Sequence, residues 1–148
     1  YVKDAEAMGF TVAVAESPEA VAHSTRLIVT TTPATTPLLR AEWIHPGTHI
    51  TAVGADTPTK QELDADILGK ADVVVADSIS QSNTRGEAFR AISAGKLKVN
   101  EVVELGLVLS GQSRGRSHPD QITIADLTGV AVQDLAIAEA VFRNSLRA

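Results

Sequence analysis

The chain alternates short apolar runs with longer segments whose apolar residues recur at helical spacing. A run of β-branched and other apolar residues between turn signals is typical of a buried strand. Strands that alternate with helices build parallel sheets with right-handed crossovers, so the pattern predicts an α/β domain with a mostly parallel sheet. The run at 27–32 is apolar enough to be covered on both faces. The predicted strands cover residues 11–15, 27–32, 49–53, 73–76 and 122–125.

Two predicted helices have clear start signals. Ser17 suits the N-cap, Pro18 suits the first helical position, and Glu19 suits the positive end of the helix dipole. Thr57 and Pro58 predict a second helix start in the same way.

Other segments are helical by pattern alone. Residues 86–94 predict a helix that ends at Gly95, and residues 1–9 resemble the last turns of a helix closed by Gly9. Residues 100–109 fit either a helix or a strand, and both interpretations stay open. The final helix has an apolar stripe formed by Leu135, Ala138, Phe142 and Leu146.

Composition limits the possible partners. The 148 residues carry a formal net charge of −5, with a pI of about 5.3, which argues against binding to nucleic acid or to an anionic membrane. The sequence contains no run of about 18 apolar residues, so it predicts no membrane span. The absence of cysteine excludes disulfides, thiol catalysis and thiolate zinc sites.

Small and polar residues follow four of the predicted strands, at positions 31–33, 54–56, 77–78 and 126–129. In an open parallel sheet, ligands bind outside the carboxyl ends of the strands. Loops between strands and helices are polar in most proteins, however. This pattern alone therefore leaves a binding edge and ordinary loops as equal alternatives.

Asp56 is the candidate acid with the best position, between a strand end and a predicted helix start. One interpretation is that its charge compensates the dipole of the helix opened by Thr57 and Pro58. The other is a carboxylate at the ligand crevice that acts as a base.

Familiar catalytic motifs are absent or lack their context. The chain has neither G-x-G-x-x-G nor G-x-x-x-x-G-K-[ST]. Residues 111–115 match G-x-S-x-G, but a polar loop follows where a nucleophile elbow needs a helix. His45 and His49 are separated by Pro46 and Gly47, so they cannot share a helical face as metal ligands. No metal site is predicted.

Five ordered motifs together resemble the ornithine cyclodeaminase/μ-crystallin family. They are TTTP at 30–33, WIHPGTHI at 43–50, VGADTPTKQEL at 53–63, ELG at 104–106 and TGVAVQD at 128–134. The resemblance covers nearly the whole chain.

The resemblance implies an NAD(P)-binding Rossmann-like domain with a doubly wound sheet, and a cytoplasmic metabolic enzyme. Family members cyclise ornithine with loss of ammonia or interconvert small amino and imino acids, using NAD or NADP. It further implies a homodimer in the full-length protein. A non-enzymatic protein of the μ-crystallin type, which binds NADPH and a small ligand, is the alternative.

The same resemblance assigns site residues. Asp56 matches the family's catalytic aspartate. The positions that match its cofactor-binding residues are Thr31, Thr32, Pro33, Val53, Gly54, Ala55, Lys60, Leu127 and Thr128.

This sequence also departs from the family pattern. The Gly-rich phosphate loop, its strand and the following strand are not found, so residues 1–148 are expected to form a partial Rossmann-like domain without its first two strands. The substrate and dimerisation domain is expected to lie outside the chain, which alone is expected to be inactive. Leu107 stands where the family usually has glutamate after ELG.

Overall fold

A computed structural model describes residues 1–146 and contains a five-stranded, wholly parallel sheet. Its strand order is β1-β2-β5-β3-β4. The α/β class and the parallel sheet predicted from the sequence are therefore confirmed. The strands are β1 (Leu27–Thr30), β2 (His49–Ala52), β3 (Val73–Ala76), β4 (Val102–Glu104) and β5 (Thr123–Asp126).

The described residues also contain six α-helices and three short 3-10 helices. Ser17 caps α2 as predicted, since its hydroxyl accepts the amide of Ala20 at 3.1 Å. The helices are α1 (Val2–Ala7), α2 (Pro18–Ser24), α3 (Ala65–Lys70), α4 (Gly86–Ser93), α5 (Leu105–Leu109) and α6 (Ala131–Ser145). No helix within residues 1–146 is long and apolar enough to cross a membrane.

One transverse row of side chains forms the centre of the core. Strand register aligns it across the whole sheet, and every member is buried. Because strand side chains alternate between faces, this row meets the helices on one side only. The row is Ile28, Ile50, Ile124, Val74 and Val102, and it packs against Leu63, Ile67, Leu68, Ala88 and Ala91.

The second face of the sheet is only partly covered. Leu105 and Val108 of α5 line a cavity of about 260 Å³ with Val73 and Val75 of β3. At the other edge, the β1 residues Leu27 and Val29 are 62% and 59% exposed. The expectation that the run at 27–32 is covered on both faces is therefore wrong for the described residues.

Residues 11–15 do not form the predicted strand. A strand needs a neighbour that accepts and donates its backbone hydrogen bonds. The sheet ends at β1, whose one partner among the described strands is β2. A β-branched pattern is thus not sufficient at 11–15.

The helix predicted to open at Thr57 and Pro58 begins later, at α3. Residues just before α3 are held in extended pairing, because Leu38 donates to the Glu62 carbonyl at 2.7 Å and Asp64 donates to the Leu39 carbonyl at 3.0 Å. Long-range pairing therefore overrides the local start signal. Asp64 is the actual N-cap.

Residues 100–109, for which helix and strand were alternative predictions, contain both. Val102–Glu104 forms β4, and α5 follows directly. The last helix, α6, exists as predicted, but its apolar stripe contacts no core, since Leu135, Phe142 and Leu146 are all exposed.

The packing predicts unequal costs for two truncations. Ile67→Ala removes a buried side chain of α3 and should lower the free energy of unfolding by about 2–5 kcal/mol. Val132→Ala on exposed α6 is the control and should change it by less than about 0.5 kcal/mol. Urea unfolding of both variants measures the difference; equal losses would contradict this packing.

Candidate functional site at the carboxyl edge of the sheet

The loops that follow β1, β2 and β5 lie side by side, because these strands are neighbours in the sheet. The Val53 amide donates to the Thr30 carbonyl at 2.9 Å, and the Leu127 amide donates to the Ala52 carbonyl at 2.8 Å. The structure thus brings the predicted cofactor positions 31–33, 53–55 and 127–128 to one edge. Their role in binding stays a prediction.

A fully buried carboxylate, Glu62, joins the first two of these loops. Its Oε1 accepts the amide and the hydroxyl of Thr32, at 2.6 and 2.8 Å. Its Oε2 accepts the hydroxyl of Thr30 at 2.7 Å and the amide of Gly54 at 2.8 Å. Both oxygens are therefore saturated by donors from two loops.

Gly54 is required by the closeness of this contact. A Cβ built there would lie 2.2 Å from the Thr32 carbonyl oxygen and 2.5 Å from the Glu62 carboxyl carbon. Any side chain at this position would push the two loops apart.

A second buried carboxyl group, that of Glu87, holds the segment that carries Glu62. It accepts the amides of Glu62 at 2.6 Å and Leu63 at 3.2 Å. Burial raises the pKa of Glu87 to about 8, and the neighbouring charges of Asp126 and Glu62 act in the same direction. The two amide hydrogen bonds oppose this rise.

Asp126, at the end of β5, is a third buried acid that accepts a backbone amide, here one from α4. Its carboxylate accepts the Ala88 amide at 2.8 Å. Burial raises the pKa of Asp126 to about 6. Gly86 begins α4 with φ +92°, and a Cβ there would lie 2.5 Å from an Asp126 carboxylate oxygen. The start of α4 therefore packs directly onto this acid.

Asp77 and Glu104 continue the same arrangement at β3 and β4. Asp77 accepts the Gly129 amide at 2.7 Å, and Glu104 accepts the Ile79 amide at 3.2 Å. Carboxylates thus bind backbone amides at or beside the ends of all five strands.

The predicted cofactor positions differ in what they expose. The hydroxyl of Thr32 donates to Glu62, and that of Thr128 lies 3.2 Å from both Asp77 and Gln81. These hydroxyls contact other protein side chains, and Ala55 is buried, so none of the three is presented to a ligand. Surface at this edge comes instead from Thr31, Pro33 and Val53, with Leu127 half-buried.

Asp56 is half-exposed, and Lys60 donates to its Oδ1 at 2.6 Å. This hydrogen bond with Lys60 is the main cause that lowers the pKa of Asp56. Because α3 begins at Ala65, Asp56 does not lie at a helix start, and the dipole interpretation is wrong. Asp56 is an ionised carboxylate beside the site edge.

Sequence reasoning missed the roles of Glu62 and Glu87. Glutamate in a polar motif or at a helix start is usually exposed, so nothing local distinguishes these two. Their one sequence signal is proximity to the apolar residues Leu63 and Ala88, which are buried.

The other sequence candidates lie away from this edge. His49, the first residue of β2, hydrogen-bonds Thr123 at 2.7 Å. Residues 111–115 follow α5, and no helix comes after them before β5. Within residues 1–146, no group of three or more acidic or histidine side chains could hold a metal ion.

Known proteins are similar to this chain in fold and in sequence. The alanine dehydrogenase of Archaeoglobus fulgidus is 47% identical over 81% of this chain and 37% of its own length. A solved archaeal alanine dehydrogenase dimer with bound NAD has a TM-score of 0.89 at 43% identity, over 99% of this chain and 45% of that one.

The iminosuccinate reductase of Paracoccus denitrificans, solved in complex with NAD⁺, also has a TM-score of 0.89. It is 37% identical over 96% of this chain and 43% of its own. The chain therefore spans less than half the length of these relatives.

A family model matches residues 1–148 from end to end. Together with the parallel sheet and its aligned strand-end loops, this match shows that the chain belongs to the ornithine cyclodeaminase/mu-crystallin family.

Proposed function

We propose that this chain supplies part of the nucleotide-binding region of an NAD(P)-dependent enzyme that acts on a small amino or imino acid. The observation that carries the proposal is the row of three adjacent loops after β1, β2 and β5, with Asp56 beside them. Ligands of open parallel sheets bind at this edge. Relatives that share the fold are described with NAD or NAD⁺ bound.

Among the possible reactions, we favour hydride transfer between an amino acid and its imine over cyclisation of ornithine. The relatives named for alanine dehydrogenase and iminosuccinate reductase are 47% and 44% identical to this chain, over 81% and 78% of its length. A lysine cyclodeaminase structure is 28% identical, and a relative named as an uncharacterized cyclodeaminase is 42% identical over 92% of this chain. The whole protein would act as a homodimer, as the archaeal relative is described.

The surface at the edge would accommodate a flat nicotinamide group. Thr31, Pro33 and Val53 expose small side chains, and Gly54 brings the second loop close to the first. When bound, NAD(P) supplies hydride acceptance or donation. The sequence has no G-x-G-x-x-G turn for the phosphates, so the chain alone is expected to bind weakly.

Asp56 would move the proton. Its carboxylate is ionised at neutral pH, because Lys60 lowers its pKa, and it can accept a proton from a substrate amino group or from water. The ammonium group of Lys60 keeps the Asp56 carboxylate ionised, which is the form that acts as a base.

Replacing Asp56 tests the proton-transfer role. In the whole protein, Asp56→Asn should lower kcat about 100-fold or more, with NADH affinity changed less than about threefold, because general bases contribute this much to rate. The matched control is Asp66→Asn, another half-exposed aspartate held by a lysine, Lys96, at 2.6 Å. It should leave kcat unchanged.

Steady-state kinetics and NADH titration separate the outcomes. An unchanged kcat in Asp56→Asn would refute the role of Asp56. Tight NADH binding with no turnover of any small amino or imino acid by the wild type would instead favour the μ-crystallin type of ligand binder.

Replacing Lys60 tests how the base is kept ionised. Activity that needs the Asp56 carboxylate is present above its pKa and is lost as pH falls through it. Lys60→Met removes the main cause that lowers this pKa, so the acid limb of the kcat/KM profile should move to higher pH. Lys96→Met is the control, and an unmoved limb in Lys60→Met would contradict the assignment.

A further inference from the structure

We infer that Glu62 is a positioning residue that fixes the separation of the β1 loop, residues 31–33, from the β2 loop, residues 53–55. Its effect on cofactor binding rests on the proposed function, whereas its effect on the loops does not. No exposed atom of Glu62 is available to touch a ligand, since the residue is fully buried. It can act only through the groups that it holds.

The hydrogen-bonding pattern is symmetrical. Each carboxylate oxygen accepts one backbone amide and one threonine hydroxyl, Thr32 supplying both for Oε1. Thr30 and Gly54 supply the pair for Oε2. One rigid carboxylate group therefore sets the distance between the amide of one loop and the amide of the other.

Glu62 is itself anchored from both sides of its backbone. Its amide donates to Glu87 at 2.6 Å. Its carbonyl accepts the amides of Leu38 at 2.7 Å and Leu39 at 3.2 Å. The carboxylate is thus fixed to the protein interior and not merely to the loops.

An amide cannot replace this carboxylate. In Glu62→Gln, the NH₂ group would face one backbone amide whichever way the side chain turned. A threonine hydroxyl can rotate and accept from that NH₂, but a backbone N–H cannot. Either Thr32 or Gly54 would lose its acceptor, and its loop would move away.

The contact can be tested first in the wild-type chain, without any substitution. Couplings through the hydrogen bonds, from the amide nitrogens of Thr32 and Gly54 to the side-chain carboxyl carbon of Glu62, should be detectable by NMR. If neither coupling is seen with the side chain assigned, Glu62 does not hold the loops and the inference is overturned.

The consequence is tested by Glu62→Gln in the whole protein. At least one of the amide protons of Thr32 and Gly54 should exchange with solvent about tenfold faster or more, because that amide loses its acceptor. The Kd for NADH should rise about tenfold, while the amide of Ile124 in the core stays protected.

Glu104→Gln is the matched control. Glu104 also accepts a backbone amide at a strand end, but only that of Ile79, and a glutamine oxygen can keep this bond. NADH affinity and the exchange of Thr32 and Gly54 should stay as in the wild type. An equal effect of both glutamine variants would overturn the specific role of Glu62.

A second variant covers the case in which Glu62→Gln does not fold. Thr30→Val removes one of the four donors to Glu62 and should raise the Kd for NADH by about two- to fivefold. No change in Kd would overturn the positioning role. If the wild type shows the couplings yet does not bind NADH, the proposed function fails while the loop contact stands.

Discussion

Backbone amides leave the ladder wherever a parallel strand ends, and each buried one needs a new acceptor. In this chain, backbone carbonyls accept some of these amides and buried carboxyl groups accept others. Glu62 serves the loops after β1 and β2, Glu87 serves the segment that carries Glu62, and Asp126 serves the start of α4. The loops after β1 and β2 and the start of α4 depend on these contacts.

The arrangement is costly. A buried carboxylate loses its hydration, and the pKa values of Glu87 and Asp126 rise to about 8 and about 6 as a result. Apolar side chains could fill the same volume more cheaply, but they would leave the strand-end amides without partners. These buried carboxyl groups therefore trade stability for a fixed loop geometry at the proposed nucleotide-binding edge.

Much of the fold followed from local chemistry. The β-branched runs at β1, β2, β3 and β5 and the Ser17 cap each carry their own signal, so the parallel α/β class could be predicted. Residues 11–15 carry the same strand signal but have no partner among the described strands, and strand pairing depends on the whole fold. The false helix start at Thr57 failed for a related reason, since residues 61–64 pair with 34–39.

The candidate site was predictable in outline only. Ligands of parallel sheets bind at the carboxyl ends of the strands, so the residues after four predicted strands were candidates; the strand order then makes the loops after β1, β2 and β5 neighbours. That Thr32 and Thr128 point their hydroxyls inward could not be foreseen, because it depends on Glu62, Asp77 and Gln81. Glu62 and Glu87 give no local signal of burial, and only the folded chain brings them beneath the loops.

The pH dependence of stability tests most directly whether Glu87 is a buried carboxyl group that holds the segment carrying Glu62. Because its folded pKa is raised, the stability linked to its proton is complete below the ordinary carboxyl pKa and is lost as pH rises through about 8. The lowered pKa of His49 acts in the opposite sense, but only below about pH 6.5. The free energy of unfolding, measured from about pH 7 to 9, should fall by on the order of 1 kcal/mol in the wild type and much less in Glu87→Gln. A flat or rising profile in the wild type, or an equal slope in Glu87→Gln, would contradict this account.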